Sequence, residues 1–209
     1  MIPYYADDHV TLYHARWEDV PPDLLAADVL VTDPPYGIGR DGQKQTTGGH
    51  GGRKAYPFMG WDADRPGKAA FDKLLGSVAH AVIWGGNYFA DLLPPTGGWL
   101  VWDKGQRINQ ADAELAWTSL PTPVRVFTLN RVALMTDGAV HPTQKPVALM
   151  RWVIEKCPPG TIFDPFAGSG TTLVAAKSLN RKAIGVECVE AYCEVAANRL
   201  RQEVLGLTA

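Results

Sequence analysis

The sequence predicts an α/β chain built as a doubly wound, mostly parallel sheet. Short, continuously apolar runs recur along it, stretches with helical spacing separate them, and two of the runs end in abrupt turns rich in proline or glycine. Continuous apolar runs, rather than alternating ones, suit strands covered on both faces in the middle of a parallel sheet.

The clearest strands are Val29-Leu30-Val31-Thr32, Ala81-Val82-Ile83-Trp84, Trp99-Leu100-Val101-Trp102, Thr161-Ile162-Phe163 and Ala183-Ile184-Gly185-Val186. Pro146 to Lys156 spaces Val147, Leu149, Met150, Val153 and Ile154 as a helix does, and Pro158-Pro159-Gly160 closes it. Thr171 to Leu179 is a second helix, following a glycine-rich turn and stopping at Asn180. Val189 to Leu205 is a third, with Tyr192, Val195, Ala196, Leu200 and Val204 at helical spacing before Gly206. The stretch from Pro121 to Val140 holds one more strand, Val124 to Leu129, and then a polar turn. Residues 37–60 are dense in glycine and polar residues and read as a long loop.

With 209 residues, no internal repeat and no dividing linker, the chain is expected to form a single domain over residues 1–209. A hydrophobic fraction of 46% and a charged fraction of 20% fit an ordinary soluble globular protein. A formal net charge of −2 excludes a uniformly basic DNA coat and leaves room for a local basic patch. Cys157, Cys188 and Cys193 do not form a C-x-x-C pair, so reduced, partly buried thiols and no metal are expected. The first residues lack the basic-then-apolar order of a signal peptide, and no apolar run reaches membrane-spanning length. A cytoplasmic protein with no membrane partner follows from this reading.

Two strand ends carry chemistry. After Val29–Thr32 come Asp33, Pro34, Pro35 and Tyr36, at the C-terminal end of a strand, where open α/β sheets bind ligands. The prolines fix two φ angles and remove two backbone donors, so Asp33 and the Pro34 carbonyl offer two acceptors on a stiff frame, and Tyr36 offers a flat face. An aromatic amine is a poor nucleophile because its lone pair is delocalised into the ring. Two acceptors on its N–H bonds favour the pyramidal form and take up developing positive charge. The plain alternative is a strand ending in a proline-rich turn with a capping aspartate.

The second strand end is Ile162-Phe163-Asp164-Pro165-Phe166-Ala167-Gly168-Ser169-Gly170-Thr171. Glycines there let the backbone approach a ligand, and the helix that follows supplies free N–H groups. The turn fails as a dinucleotide fingerprint, because Leu173 stands where glycine or alanine is required. About twenty residues on, Glu187 ends the next strand and is placed for ribose hydroxyls. A nucleoside ligand follows, with Asp164 poised for an ammonium and Phe166 near a sulfonium methyl. A tight strand–helix turn with no ligand is the alternative.

Asp33-Pro34-Pro35-Tyr36 early, His141-Pro142-Thr143-Gln144-Lys145-Pro146 in the middle and Asp164 to Gly170 late resemble, in that order, the β-class DNA amino-methyltransferases. The resemblance runs from Val10 to Arg199. It implies a circularly permuted Rossmann-like methyltransferase fold, with a catalytic half (1–140) before a cofactor half (141–209). It also implies S-adenosylmethionine as cofactor, DNA as partner and a base flipped into the pocket. In those terms Asp33, Pro34, Pro35 and Tyr36 grip and stack the base. Thr143 and Lys145 line the methionyl end of the cofactor, Asp164, Phe166, Gly168, Ser169 and Gly170 form its turn, and Glu187 binds its ribose. Direct methyl transfer is implied, with no covalent enzyme intermediate. Ile83 to Asn87 and Trp102-Asp103-Lys104 match strands near the target pocket, with core packing an equal alternative for their tryptophans.

Adenine N6 is the expected target, because Asp-Pro-Pro-Tyr is commoner among the family's adenine enzymes; cytosine N4 is the alternative. An RNA or protein amine or amide is a further one, for which related folds use Asn-Pro-Pro-Tyr. An inactive binding remnant is opposed by the two intact motifs.

Two departures stand out. His14-Ala15 replaces a Gly-Asp pair near the cofactor adenine, leaving Glu18 as a substitute, and only residues 120–140 separate Ser119 from His141. No separate target-recognition domain is therefore expected. Arg40, Lys44, Arg53 and Lys54, set against Asp41 on the 37–60 loop, are the expected phosphate contacts, with a solvated lid as the other reading. A homodimer is a further source of DNA contacts.

Overall fold

The computed structural model describes residues 1–39, 62–105, 111–130 and 144–202. Arg40, Lys44, Arg53, Lys54 and Thr143 lie outside these residues, as do the expected end of the last helix and the expected polar turn after residue 130.

Nine strands of the described residues join one sheet: β1 (Tyr5–Ala6), β2 (Val10–His14), β3 (Val29–Thr32), β4 (His80–Trp84), β5 (Trp99–Asp103), β6 (Ala113–Thr118), β7 (Arg125–Thr128), β8 (Ile162–Asp164) and β9 (Ala183–Glu187). Their order is β1-β2-β9-β8-β3-β4-β6-β5-β7. The run from β2 to β4 is parallel throughout. Between β4 and β5 lies β6, antiparallel to both, while β7 runs parallel to β5 and β1 antiparallel to β2.

Among the described residues four α-helices accompany the sheet: α1 (Lys68–Gly76), α2 (Val147–Lys156), α3 (Thr171–Ser178) and α4 (Glu190–Gln202). The expected strands β3, β4, β5, β7, β8 and β9 form, as do the three expected helices, within a residue or two of the predicted ends in the described part. Four elements were not singled out in the sequence: α1, the short β1, β2, and β6, whose Ala-Glu-Leu-Ala-Trp-Thr interrupts an apolar strand with an acid.

The continuous apolar runs have the cause expected of them. Val29, Val31, Val82, Trp84, Leu100 and Trp102 pack with α2, α3 and α4 on one face. Leu30, Ala81, Ile83, Phe163 and Val186 pack with Phe71 and Leu74 of α1, Trp17 and Phe89 on the other. Successive strand residues point to opposite faces, so a strand covered twice must be apolar at every position. Trp84 and Trp102 are core residues, 0% and 2% exposed, and the indole of Trp102 donates to the Leu129 carbonyl at 2.9 Å.

All three cysteines are free, with Cys157 and Cys193 buried and Cys188 exposed. Burial pushes the Cys157 and Cys193 thiols up to about 12, which leaves them protonated and inert. Among the described residues no helix is long and apolar enough to cross a membrane.

A close joint lies between α3 and β9, where Leu173 is fully buried and its Cδ1 would stand 2.6 Å from a Cβ on Gly185. Leu173→Ala leaves a cavity there and is expected to cost about 2–5 kcal/mol of stability, read as a lower urea midpoint at unchanged slope.

Candidate active site

β3 and β8 are neighbours in the sheet, with Val29 opposite Ile162 and Leu30 opposite Phe163. From this pair the sheet grows toward β9 on one side and β4 on the other. This is the switch point at which doubly wound sheets open a crevice beyond their strand ends. Asp33 follows β3, Asp164 ends β8, and the Thr32 hydroxyl donates to Asp164 Oδ1 at 2.7 Å. A cavity of about 670 Å³ opens over them. Of the residues singled out in the sequence, Asp33, Pro35, Lys145, Asp164, Phe166, Gly168, Ser169 and Glu187 line it. Pro34 is buried, Tyr36 stands beside Asp33, and Gly170 caps α3 behind the wall.

On the β8–β9 side the turn is stiff. Gly170 has φ +78°, and a Cβ there would meet that of Ala196 at 2.7 Å, so both conformation and close packing require glycine. Arg199 of α4 donates to the Ser169 carbonyl at 2.7 Å and to the Thr171 hydroxyl at 3.0 Å, tying the turn to the last helix. Glu187 accepts from the backbone N–H of Gly168 at 2.8 Å and of Val189 at 2.7 Å. Burial raises its carboxyl above the usual range against these bonds. Burial likewise pushes Asp164 up to about 6, although Thr172, Thr32 and the Phe166 N–H all donate to it. Ala15, Arg16, Trp17 and Glu18 form part of the wall, so the segment after His14 does reach the cavity.

On the β3–β4 side a chain of charges surrounds Asp33. The Tyr36 hydroxyl donates to Asp33 Oδ1 at 2.5 Å, and Lys145 Nζ to Oδ2 at 2.5 Å. Lys145 also pairs with Glu114 of β6 at 3.1 Å, and Glu114 with Lys104 at 2.8 Å. Burial raises the Asp33 carboxyl while Lys145 and Tyr36 hold it down. The Lys145 ammonium, despite burial, is raised by its two carboxylates and stays charged. The resemblance assigns Lys145 to the cofactor; its ammonium is engaged by Asp33 and Glu114 on the β3–β4 side. Glu114 had no motif to mark it. Its only signal was an acid inside an otherwise apolar strand.

Tyr36 sits on Gly85, whose φ is +70° and where a Cβ would come within 2.2 Å of the Tyr36 ring. Tyr88 stacks on Tyr36 with ring centroids 4.7 Å apart at 17°, and Phe89 meets it edge-on at 5.9 Å. The strand end Trp84-Gly85-Gly86 thus has a divided part: its tryptophan fills the core and its first glycine seats Tyr36.

Residues 95–198 match the model of the N6/N4 methyltransferase family, described as a DNA methylase. This match likens just under half of the chain to that DNA methylase family. A type II methyltransferase of Streptomyces caespitosus, M.ScaI, is 44% identical over 73 residues, which make up 34% of this chain and 24% of that relative. The chain thus matches about a quarter of the relative's length. The crystal structure of an M1.HpyAVI–SAM complex superposes with a TM-score of 0.60 at 21% identity, covering 91% of this chain and 98% of that one. The cytosine-N4-specific PvuII DNA methyltransferase superposes with a TM-score of 0.58 at 15% identity, covering 94% and 88%. These are likenesses of fold.

Because Gly85 combines a left-handed backbone with direct ring contact, Gly85→Ala is expected to displace Tyr36. The cost is about 1–3 kcal/mol in stability. Thermal melting and a structure of the variant check this; an undisturbed Tyr36 would show that the seat tolerates a methyl group.

Proposed function

We propose that this chain transfers a methyl group from S-adenosylmethionine to the exocyclic amine of a DNA base, adenine N6 in the first instance. The single observation that supports it most is the meeting of Asp33 and Asp164, through Thr32, at the mouth of one cavity. A catalytic turn and a nucleoside turn are of use together only if a base and a cofactor meet between them.

The residues present suit the cofactor. Asp164 faces the cavity as a buried carboxylate, fit for an ammonium. Glu187 has lone pairs beyond those taken by two backbone N–H groups, fit for ribose hydroxyls. Phe166, Gly168 and Ser169 supply apolar surface and bare backbone, with Gly170 holding the turn, and Thr143 belongs to the same proposal. The volume lies in the range of small-molecule and cofactor sites. S-adenosylmethionine, when bound, supplies an electrophilic methyl group carried on a sulfonium.

The chain's own residues do the rest. Asp33 and the Pro34 carbonyl accept the two N–H bonds of the base amine, which returns its lone pair to nitrogen for attack. Asp33 then takes the proton that the methylated amine must lose. Pro35 keeps this frame stiff, and Tyr36, anchored to Asp33 and Gly85, is the proposed stacking surface once Tyr88, which lies on its ring, moves aside. A base reaches this depth only when flipped out of its duplex. Arg40, Lys44, Arg53 and Lys54 are proposed for the phosphates, with a second copy of the chain as a further source of contacts, and the cytoplasm as the compartment.

Adenine is preferred on Asp33 opening the motif; a cytosine N4 amine meets the same two acceptors. Nucleoside mass spectrometry on methyl-free bacterial DNA incubated with protein and cofactor decides between them. N6-methyladenosine supports the proposal, N4-methylcytidine moves it to the other base, and no methylated base in the presence of measured cofactor binding overturns it. Asp33→Ala is expected to lower turnover by about a hundredfold or more while calorimetry finds cofactor affinity little changed.

Asp164 titrates at about 6, above the usual carboxylate range, so it is ionised above that pH and neutral below it. Cofactor affinity is therefore expected to weaken as pH falls from about 7 to about 5, and Asp164→Asn to remove that dependence. A wild-type affinity that stays level across this interval would take the ammonium away from Asp164.

A further inference from the structure

Lys104 and Lys145 are both buried, 5% exposed each. A buried ammonium without a partner is strongly unfavourable, so each needs a carboxylate within reach. Lys104 has Glu114 at 2.8 Å. Lys145 has two, Asp33 at 2.5 Å and Glu114 at 3.1 Å. The four groups alternate in sign from the end of β5 through β6 and the segment before α2 to the end of β3, and Glu114 is the acid common to both lysines.

This arrangement is balanced only while Asp33 is ionised, and the proposed reaction changes that. The amine nitrogen forms its bond to the methyl carbon as the carbon–sulfur bond breaks, its electron pair going to sulfur. Nitrogen then carries a positive charge, discharged when an N–H bond breaks and the proton binds an Asp33 oxygen. At that moment Lys145 loses its nearer counter-charge inside the protein.

We propose that Glu114 is a positioning residue for this transfer, the counter-charge that Lys145 keeps when Asp33 becomes neutral. This rests on the proposed function for the proton's source. Glu114 acts through Lys145 and has no contact with the base assigned to it. It is fitted to the task because it stays ionised. Burial works to raise its carboxyl, but Lys145 and Lys104 outweigh burial and bring it to about 2. Its charge also favours proton uptake on Asp33, against Lys145 and the Tyr36 hydroxyl. Asp164, the other acid near Asp33, is bonded to Thr32 and the Phe166 N–H and lies on the far side of the switch point.

The test separates charge from structure. Carbon-13 NMR of labelled aspartate side chains follows the Asp33 titration without any substrate, with Asp33→Asn identifying its signal. Single-turnover methylation of methyl-free bacterial DNA follows the chemistry. Glu114→Gln is expected to move the Asp33 midpoint, and the acid limb of the rate profile, to lower pH. It is also expected to slow transfer about ten- to a hundredfold, with cofactor affinity unchanged. Glu114→Asp, which keeps the charge, is expected to keep the midpoint and most of the rate. If Glu114→Gln does not fold, Glu114→Gln combined with Lys104→Met keeps the buried charge balanced, and the same downward shift is expected. An unmoved Asp33 midpoint, or equal behaviour of the Gln and Asp variants, overturns the proposal. A wild type that methylates no DNA overturns the proposed function, and the Asp33 titration still decides whether Glu114 sets that carboxyl.

Discussion

The parallel pairing of β3 with β8 is the constraint on which the rest of the molecule depends. Val29 and Leu30 pair with Ile162 and Phe163, residues more than a hundred positions away in the chain. Two short apolar strands must therefore find each other across most of the sequence, and each brings an aspartate to the same end. Because the sheet is wound in opposite directions from this pair, its connections diverge there. The crevice is a consequence of topology, and the Thr32–Asp164 hydrogen bond fixes its two halves to each other.

Around that joint the two sides are built by different physics. The β8–β9 side is a matter of close packing and backbone groups. Gly170 lies against Ala196, Arg199 ties Ser169 and Thr171, and Glu187 collects two backbone N–H donors. The β3–β4 side is a matter of charge. Lys145 bridges it to the other half of the chain, since it precedes α2 yet bonds to Asp33. Breaking any one pair in a buried alternating set leaves an uncompensated charge, so the set is held together by what its loss would cost.

The aromatic groups add a third element. Tyr36 is bonded through its hydroxyl to Asp33, seated on Gly85 and covered by Tyr88. Hydrogen bond, glycine seat and stacked ring each remove a degree of freedom from the same side chain. Tyr36 is thus held in one place before any ligand arrives, and the entropy of fixing it has been met in folding.

Much of this was legible from the residues alone, and for a definite reason. Strands covered on both faces must be apolar throughout, so β3, β4, β5, β8 and β9 announce themselves as runs. Turns that need particular backbones carry proline or glycine, so Asp33 to Tyr36 and Asp164 to Gly170 stood out without a structure. The order of the two turns, Asp33 to Tyr36 before Asp164 to Gly170, was equally plain, because order is a property of the chain. What it could not show is which groups meet across distance. Glu114 sits in a strand whose antiparallel place between β4 and β5 depends on partners elsewhere. Arg199 is one of several charges on an amphipathic helix until α4 lies against the Ser169 turn. Lys145 reads as a cofactor residue until folding sets its ammonium between two carboxylates. Local pattern records how each segment is buried. The pairing of charges is decided only when segments distant in sequence are packed together, since an ion pair leaves no period or spacing in the chain that makes it.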